Sequence, residues 1–291
     1  SLKKYVYFKE LTNEHHMVIT KYIQNDDNER LIEYFEQLII SLCSVKLQYD
    51  KLTKIDIFCI LLNLRIICID SHLKLNFKCQ KTDKRYAIDM DLYDVLDKVT
   101  NFNQKYKNTI TINKDLKVIL KVPVQLMCSD STGVILDSLD SIRIFKKTYD
   151  LKSMSKNQKQ TILENLPGEV LSEIVQAIEK DHENYKVSIL THKNPHDPEF
   201  DPTDYVLELY NNTFYDFIKV FFNENLLNLY YTRYVMSKHL NFNINYIESV
   251  TPAETDTYIT FLKKEVEEEK KRSEKGNKSK HGGSLPMPEG G

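Results

Sequence analysis

His192 and His196 lie four residues apart in the Pro-rich segment Thr191 to Pro202, next to Asp197 and Asp201. Two imidazoles and two carboxylates have the donor chemistry of a divalent-metal site, and such a site would support a metal-dependent hydrolase. The same residue types beside prolines also build solvated turns, which is the simpler reading here. Asp130-Ser131-Thr132-Gly133 resembles the Asp-Thr/Ser-Gly element of aspartic proteases in composition, but a single copy in altered order reads as a turn. His15 and His16 sit together on a helical segment. A P-loop, a GxGxxG turn and a GxSxG elbow are all missing from the sequence, so the common phosphate and acyl-transfer signatures have no counterpart. Carboxylates are dispersed over polar faces, and the run Glu265 to Glu269 reads as a solvated helix surface. The residues therefore nominate no catalytic group, no cofactor-binding group and no metal ligand set.

Composition narrows the classes further. The 291 residues carry a net charge of −2 with both signs interspersed, which argues against nucleic acid and anionic membrane as partners. Only seven glycines are present, too few for the loop-rich sites of nucleotide enzymes. The five cysteines, Cys43, Cys59, Cys68, Cys79 and Cys128, have no CxxC spacing and read as reduced, mostly buried thiols. The opening SLKKYVYFKEL lacks the apolar core of a signal peptide, and the most apolar run, Ile55 to Ile69, is short and interrupted by Asp56, Asn63 and Arg65. That run is expected to be a central core helix.

The elements that would position these residues are legible from periodicity. A strand-like Lys4 to Phe8 precedes a helix capped by Thr12 and running to about Tyr22. Leu31, Ile32, Phe35, Leu38, Ile39 and Leu42 recur at helical spacing, and Thr53 with Asp56 opens the apolar helix. The period then switches to two, with Leu73, Leu75, Phe77 and Cys79 facing Tyr86, Ile88 and Met90 across a hairpin. Asn108 to Ile112 and Lys117 to Leu126 predict a second strand pair, with Pro123 at an edge or bulge. From Asp140 onward the chain reads helical, including a stripe of Val170, Leu171, Ile174, Val175 and Ile178. The Pro-rich loop becomes a hairpin tip if the flanking KVSIL and YVLEL are strands.

The C-terminal part is the richest in aromatic residues. Phe214, Phe217, Ile218, Phe221 and Phe222 share a helix face, and Leu226, Leu229, Tyr230, Tyr234 and Val235 continue it after a short break; such a stripe is expected to be core. Thr251, Pro252 and Glu254 form a capping box with Pro at the first helical position, followed by Tyr258, Phe261, Leu262 and Val266 on one face. Residues 270 to 291 are nearly devoid of apolar groups before Leu285 and are expected to be disordered. With no chemistry in evidence, function is expected to reside in surfaces. Tyr230, Tyr231, Arg233 and Tyr234 are the candidate contacts, although burial in the protein's own core is expected for two of the three tyrosines.

The Leu/Tyr-rich Leu226 to Met236, the Asn-flanked LNFNINYIES (Leu240 to Ser249) and TPAETDTYI (Thr251 to Ile259) before an acidic helix resemble the C-terminal part of the baseplate hub and hub-assembly proteins of T4-like tailed bacteriophages. Upstream, YFKEL (Tyr7 to Leu11), the Leu-Thr-x-x-Asp opening at Leu52 to Asp56, LNLRIICID (Leu62 to Asp70) with its Arg65, KVPVQL (Lys121 to Leu126) and NLPGEVLSEIVQAIE (Asn165 to Glu179) are similar to family segments in the same order. Family members often place a second Cys soon after the position of Cys79; here Gln80, Lys81 and Thr82 follow, which removes the basis for a zinc knuckle. The resemblance implies a non-enzymatic structural or chaperone-like protein of the contractile-tail baseplate hub, without cofactor. Its implied partners are hub or tail proteins, including the tape-measure protein. Its implied location is the host cytoplasm during assembly and the tail baseplate in the virion.

The expected fold is α+β. Residues 1–139 form a helical bundle with small antiparallel hairpins, residues 140–269 a mostly helical region, and residues 270–291 a tail. Two other classes stay open: the hydrolase centred on His192 and His196, and a nucleic-acid-binding module using Lys81, Lys84, Arg85 and the basic tail.

Overall fold

The computed structural model describes residues 6–105, 109–127, 131–152, 154–181, 185–197, 199 and 203–280. The chain opens with three helices: α1 (Asn13–Gln24), α2 (Asn28–Leu42) and α3 (Lys54–Cys68). Their starts follow from local chemistry. Thr12 caps α1, Asp27 accepts from the Arg30 amide to cap α2, and Thr53 with Asp56 forms a full capping box on α3. Of the strand expected over Lys4 to Phe8, residues 1–5 lie outside the described residues, and Phe8 makes an isolated bridge to Cys43.

The apolar run is the central core helix expected. In α3, Ile55, Phe58, Leu61 and Leu62 are fully buried, and Lys54 joins them because its Nζ donates to the carbonyls of Leu209 (3.3 Å) and Asn211 (2.8 Å). Cys59 and Cys68 are free thiols in this apolar setting, and burial pushes the Cys59 pKa up to about 12. Cys128 lies outside the described residues.

Strands β1 (His72–Lys78) and β2 (Arg85–Asp91) form the expected hairpin and feed directly into α4 (Leu92–Lys105). A four-stranded antiparallel sheet follows in the order β3 (Thr109–Thr111), β4 (Leu116–Leu120), β5 (Leu139–Ile144) and β6 (Lys147–Asp150). It differs from the sequence reading in two ways. First, β4 stops at Leu120, where its register to β5 shifts, so Pro123 lies beyond the ladder. Second, β5 and β6 occupy the start of the region read as helical, and their pairing carries the sheet across residues 139 and 140. The reason is burial: Leu139, Ser141 and Ile142 are all buried, so no clean period of two survives in the sequence. Between β4 and β5, α5 (Ser131–Ser138) takes the place of the turn expected around Gly133.

Helices α6 (Lys156–Glu164) and α7 (Gly168–Asp181) lead to the hairpin of β7 (Lys186–His192) and β8 (Thr203–Glu208). The flanks of the Pro-rich segment are therefore strands. The chain closes with α8 (Thr213–Phe222), α9 (Leu226–Leu240), α10 (Ile244–Ser249) and α11 (Pro252–Lys280). The architecture is α+β, with mixed helices and small antiparallel sheets. Helix α11 continues to Lys280, and residues 281–291 of the tail lie outside the described residues.

Candidate contact surface

Two helices in succession treat their aromatic residues in opposite ways. In α8, Phe214, Tyr215, Phe217, Ile218, Phe221 and Phe222 are all buried. Phe58 of α3 meets Phe214 edge-on at 5.1 Å and Phe221 at 5.5 Å, while Phe35 of α2 lies 6.0 Å from Phe222. Each such ring contributes roughly 1.5–3 kcal/mol by leaving water.

The last carbonyls of α8, which have no partner within the helix, are met by polar groups from α1 and α3. Arg65 Nε donates to Phe221 O at 2.8 Å, and Thr20 Oγ1 donates to Phe222 O at 3.3 Å. The other guanidinium nitrogens of Arg65 donate to the carbonyls of Asp70 and His72. His16, pressed into the same junction, has its pKa lowered to about 4 by burial, with the Arg65 charge adding to the effect. Asp256 from α11 approaches this junction, and burial raises its pKa from the ordinary aspartate value, with Glu224 and Asp70 contributing.

Helix α9 begins three residues later and is mostly exposed. The side chain of Asn225 caps it by accepting from the Leu227 amide at 2.9 Å, and Asn241 in the left-handed region at φ 55° ends it. Met236 is its one fully buried side chain, with Leu226, Leu229 and Val235 half-buried beside it. On the other side, Leu227, Tyr230, Tyr231 and Tyr234 are 73%, 51%, 66% and 54% exposed. Their spacing of three, four and seven places all four in one stripe pointing to solvent.

The structure thus corrects the expectation that two of the three tyrosines are core; all three are at the surface. Arg233 differs from them. Its guanidinium donates to Glu248 of α10 at 2.9 Å with only 15% of the side chain exposed, so it fixes α9 to α10. It is withdrawn from the outward face by that pairing.

The surroundings of the stripe are held firmly. Asn13 of α1 donates its amide N–H to Val250 O at 2.9 Å and its Nδ2 to Ile247 O at 2.8 Å and Thr255 Oγ1 at 2.6 Å. The expected capping box is formed, with the Thr251 amide donating to Glu254 Oε2 at 2.8 Å and the Glu254 amide to Thr251 Oγ1 at 3.2 Å. Phe242 packs edge-on against both Tyr246 and Tyr258, whose hydroxyls meet at 3.0 Å. Ile244, Tyr246, Phe261 and Val266 add further exposed apolar surface on α10 and α11. A rigid backing with apolar groups turned outward is suited to binding another protein.

The residues with metal-binding chemistry are placed differently. His192 is buried at the end of β7, stacked on Phe77 at 4.7 Å and on Tyr205 at 5.9 Å. His196 meets the edge of Tyr86, Asp197 pairs with Lys81 at 3.6 Å, and Asp201 lies outside the described residues. Among the described residues no three or more His, Cys, Asp or Glu side chains converge on a metal-sized site. What the sequence reading missed is the role of His192 as a ring in an aromatic stack joining the β1–β2 and β7–β8 hairpins. The signal was present in the alternation of Phe77, Tyr86 and Tyr205 on facing strands. Nearby, the Thr82 hydroxyl and the Asn194 amide act on the thiol of Cys79 and lower its pKa to about 7.

Comparison with known protein families matches residues 1–202 to the T4 bacteriophage base plate protein family. The chain belongs to that family. The match ends before β8, so the aromatic helices α8 to α11 of this baseplate protein lie beyond the matched residues. No curated protein and no solved structure matches it. Among the described residues, no helix is long and apolar enough to cross a membrane.

Proposed function

We propose that this baseplate protein is a structural or assembly component of the contractile-tail hub that works without catalysis, through protein contacts made by the outward stripe of α9. Membership of the family supports a structural role in the phage baseplate. The observation that carries the finer reading is the row Leu227, Tyr230, Tyr231 and Tyr234, exposed on a helix whose opposite side is anchored by Met236 and the Arg233–Glu248 pair. Aromatic side chains on a preorganised helix lose little conformational freedom on binding, which favours their use as anchors.

The partners on this reading are other hub or tail proteins, including the tape-measure protein. In an assembly role, the stripe covers apolar surface on a hub subunit until the subunits meet in order, and so suppresses premature association. Such a protein works in the host cytoplasm during assembly, and as a retained subunit it also occupies the virion baseplate. The test is affinity capture from phage-producing cells, compared with the composition of finished tails. Recovery of hub proteins with presence in tails indicates a retained subunit, and recovery with absence from tails a released chaperone. If no tail protein is recovered, the proposal fails.

A further inference from the structure

The four-stranded sheet ends in an open edge. Phe145, at φ 56°, and Lys146 link β5 to β6, with Ile144 opposite Lys147 and Ile142 opposite Tyr149. Residues flanking a two-residue hairpin loop exchange main-chain hydrogen bonds, and bonded pairs then recur at every second position. The Leu151 amide continues this series by donating to Asp140 O at 2.9 Å. Lys147 and Tyr149 therefore turn their main-chain groups toward β5, while Thr148 and Asp150 turn theirs away from it. All four residues of β6 are exposed, and β6 has no second strand neighbour among the described residues.

The side chains next to this edge form two distinct rows. On one face the register aligns Val118, Ile142 and Tyr149; on the other it aligns Lys117, Arg143 and Thr148. The apolar row borders a cavity of about 260 Å³ lined by Ile142, Ile144, Tyr149, Ile162, Asn165 and Leu166. Small-molecule sites usually span about 300–1,000 Å³, so this cavity suits a side chain better than a whole ligand. Asp150 follows Thr148 on the basic face, opposite Ser141, whereas Lys147 lies on the apolar face with its Nζ 4.9 Å over the Tyr149 ring.

We propose that β6 accepts an extended segment of another polypeptide as a fifth strand, one that alternates aliphatic with acidic side chains. Thr148 and Asp150 supply the main-chain donors and acceptors for strand addition. The aliphatic side chains fall on the Tyr149 face and enter the cavity, and an acidic one opposite Thr148 falls beside Arg143 and toward Lys117. This edge is a different element from α9, so the two surfaces can be tested separately.

The test is selection from a displayed library of random seven-residue peptides against the full-length protein, followed by affinity measurement on the selected peptides. Alternating aliphatic and acidic residues are expected. Thr148→Pro, which removes an outward N–H and no ladder bond, should weaken binding about tenfold or more, while Tyr231→Ala leaves it unchanged. N-methylation of the selected peptide at every second residue should cause the same loss without altering the protein, which guards against a folding defect in Thr148→Pro. Selection without this alternation, or binding indifferent to peptide methylation, overturns the proposal. Self-association of the wild-type chain that Thr148→Pro abolishes overturns it in favour of a second copy as the occupant.

Discussion

Helices α8 and α9 follow one another across three residues and are both rich in aromatic and aliphatic side chains, yet α8 is core and α9 carries a surface. The difference is one of distribution. All of the large apolar residues of α8 except Val220 are buried, and its other positions outside the core, Thr213, Asp216 and Lys219, are polar. In α9 the apolar residues divide between an inner side at Leu226, Leu229, Val235 and Met236 and an outer side at Leu227, Tyr230, Tyr231 and Tyr234. Such a helix has two apolar sides, and the fold covers one of them. The lesson is that a count of apolar residues cannot separate core from surface, whereas their angular spread can.

The sharpest way to break this comparison is to truncate one ring on each helix. Phe222→Ala should destabilise the protein by about 3–5 kcal/mol, because a fully buried ring leaves a cavity between α2 and α8. Chemical denaturation checks this, and a loss below about 1 kcal/mol would deny α8 its core role.

Next in size is a pH effect at the junction that secures α8. The pKa of His16 is lowered to about 4 when folded, against 6.5 for a free imidazole, so the unfolded chain binds the proton more readily. Its contribution is complete above about pH 6.5 and is lost as pH falls toward 4, for a total of roughly 3 kcal/mol. Unfolding free energies of the wild type and His16→Gln across that window should diverge in slope, the variant being flatter.

A smaller effect is expected at the start of α11. Thr251→Ala removes one half of the capping box and should cost about 1 kcal/mol, read as a shift in denaturation midpoint. The smallest stability effect belongs to α9. Tyr231→Ala should stay within about 0.5 kcal/mol of wild type, because the side chain is already in water. If it is an anchor, the same change should weaken partner binding about 30-fold, equivalent to a hot spot of about 2 kcal/mol.

Much of the scaffold was legible because it rests on local chemistry. The capping boxes at Thr53 and Thr251, the hairpin from Leu73 to Met90 and the core helix through Leu61 each carry their own signal in a few neighbouring residues. Strand β5 did not, because Leu139, Ser141 and Ile142 are all buried, and β6 did not, because its four residues are all exposed and show no alternation. Helix α4 was also missed, although Leu92, Val95 and Val99 recur at helical spacing directly after a strand. At the surface, the identities of Tyr230, Tyr231 and Tyr234 could be read from the sequence and their exposure could not. Which side of α9 meets the core depends on where α1 and α10 lie, and those contacts are more than two hundred residues apart in the chain for Asn13 with Ile247. Arg233 and Glu248 are only 15 residues apart, and their pairing was hidden because it depends on how α9 packs on α10.

The central claim, that the outer side of α9 is a contact surface and α8 is not, is tested most directly by a photo-crosslinking residue placed at Tyr231 in phage-producing cells. A second site at Ile67, equally exposed on α3 at 67%, serves as the reference. The account predicts a discrete crosslink from position 231 to another baseplate or tail protein and none from position 67. Equal labelling at both positions, or no crosslink at 231 during assembly or in finished tails, would contradict it.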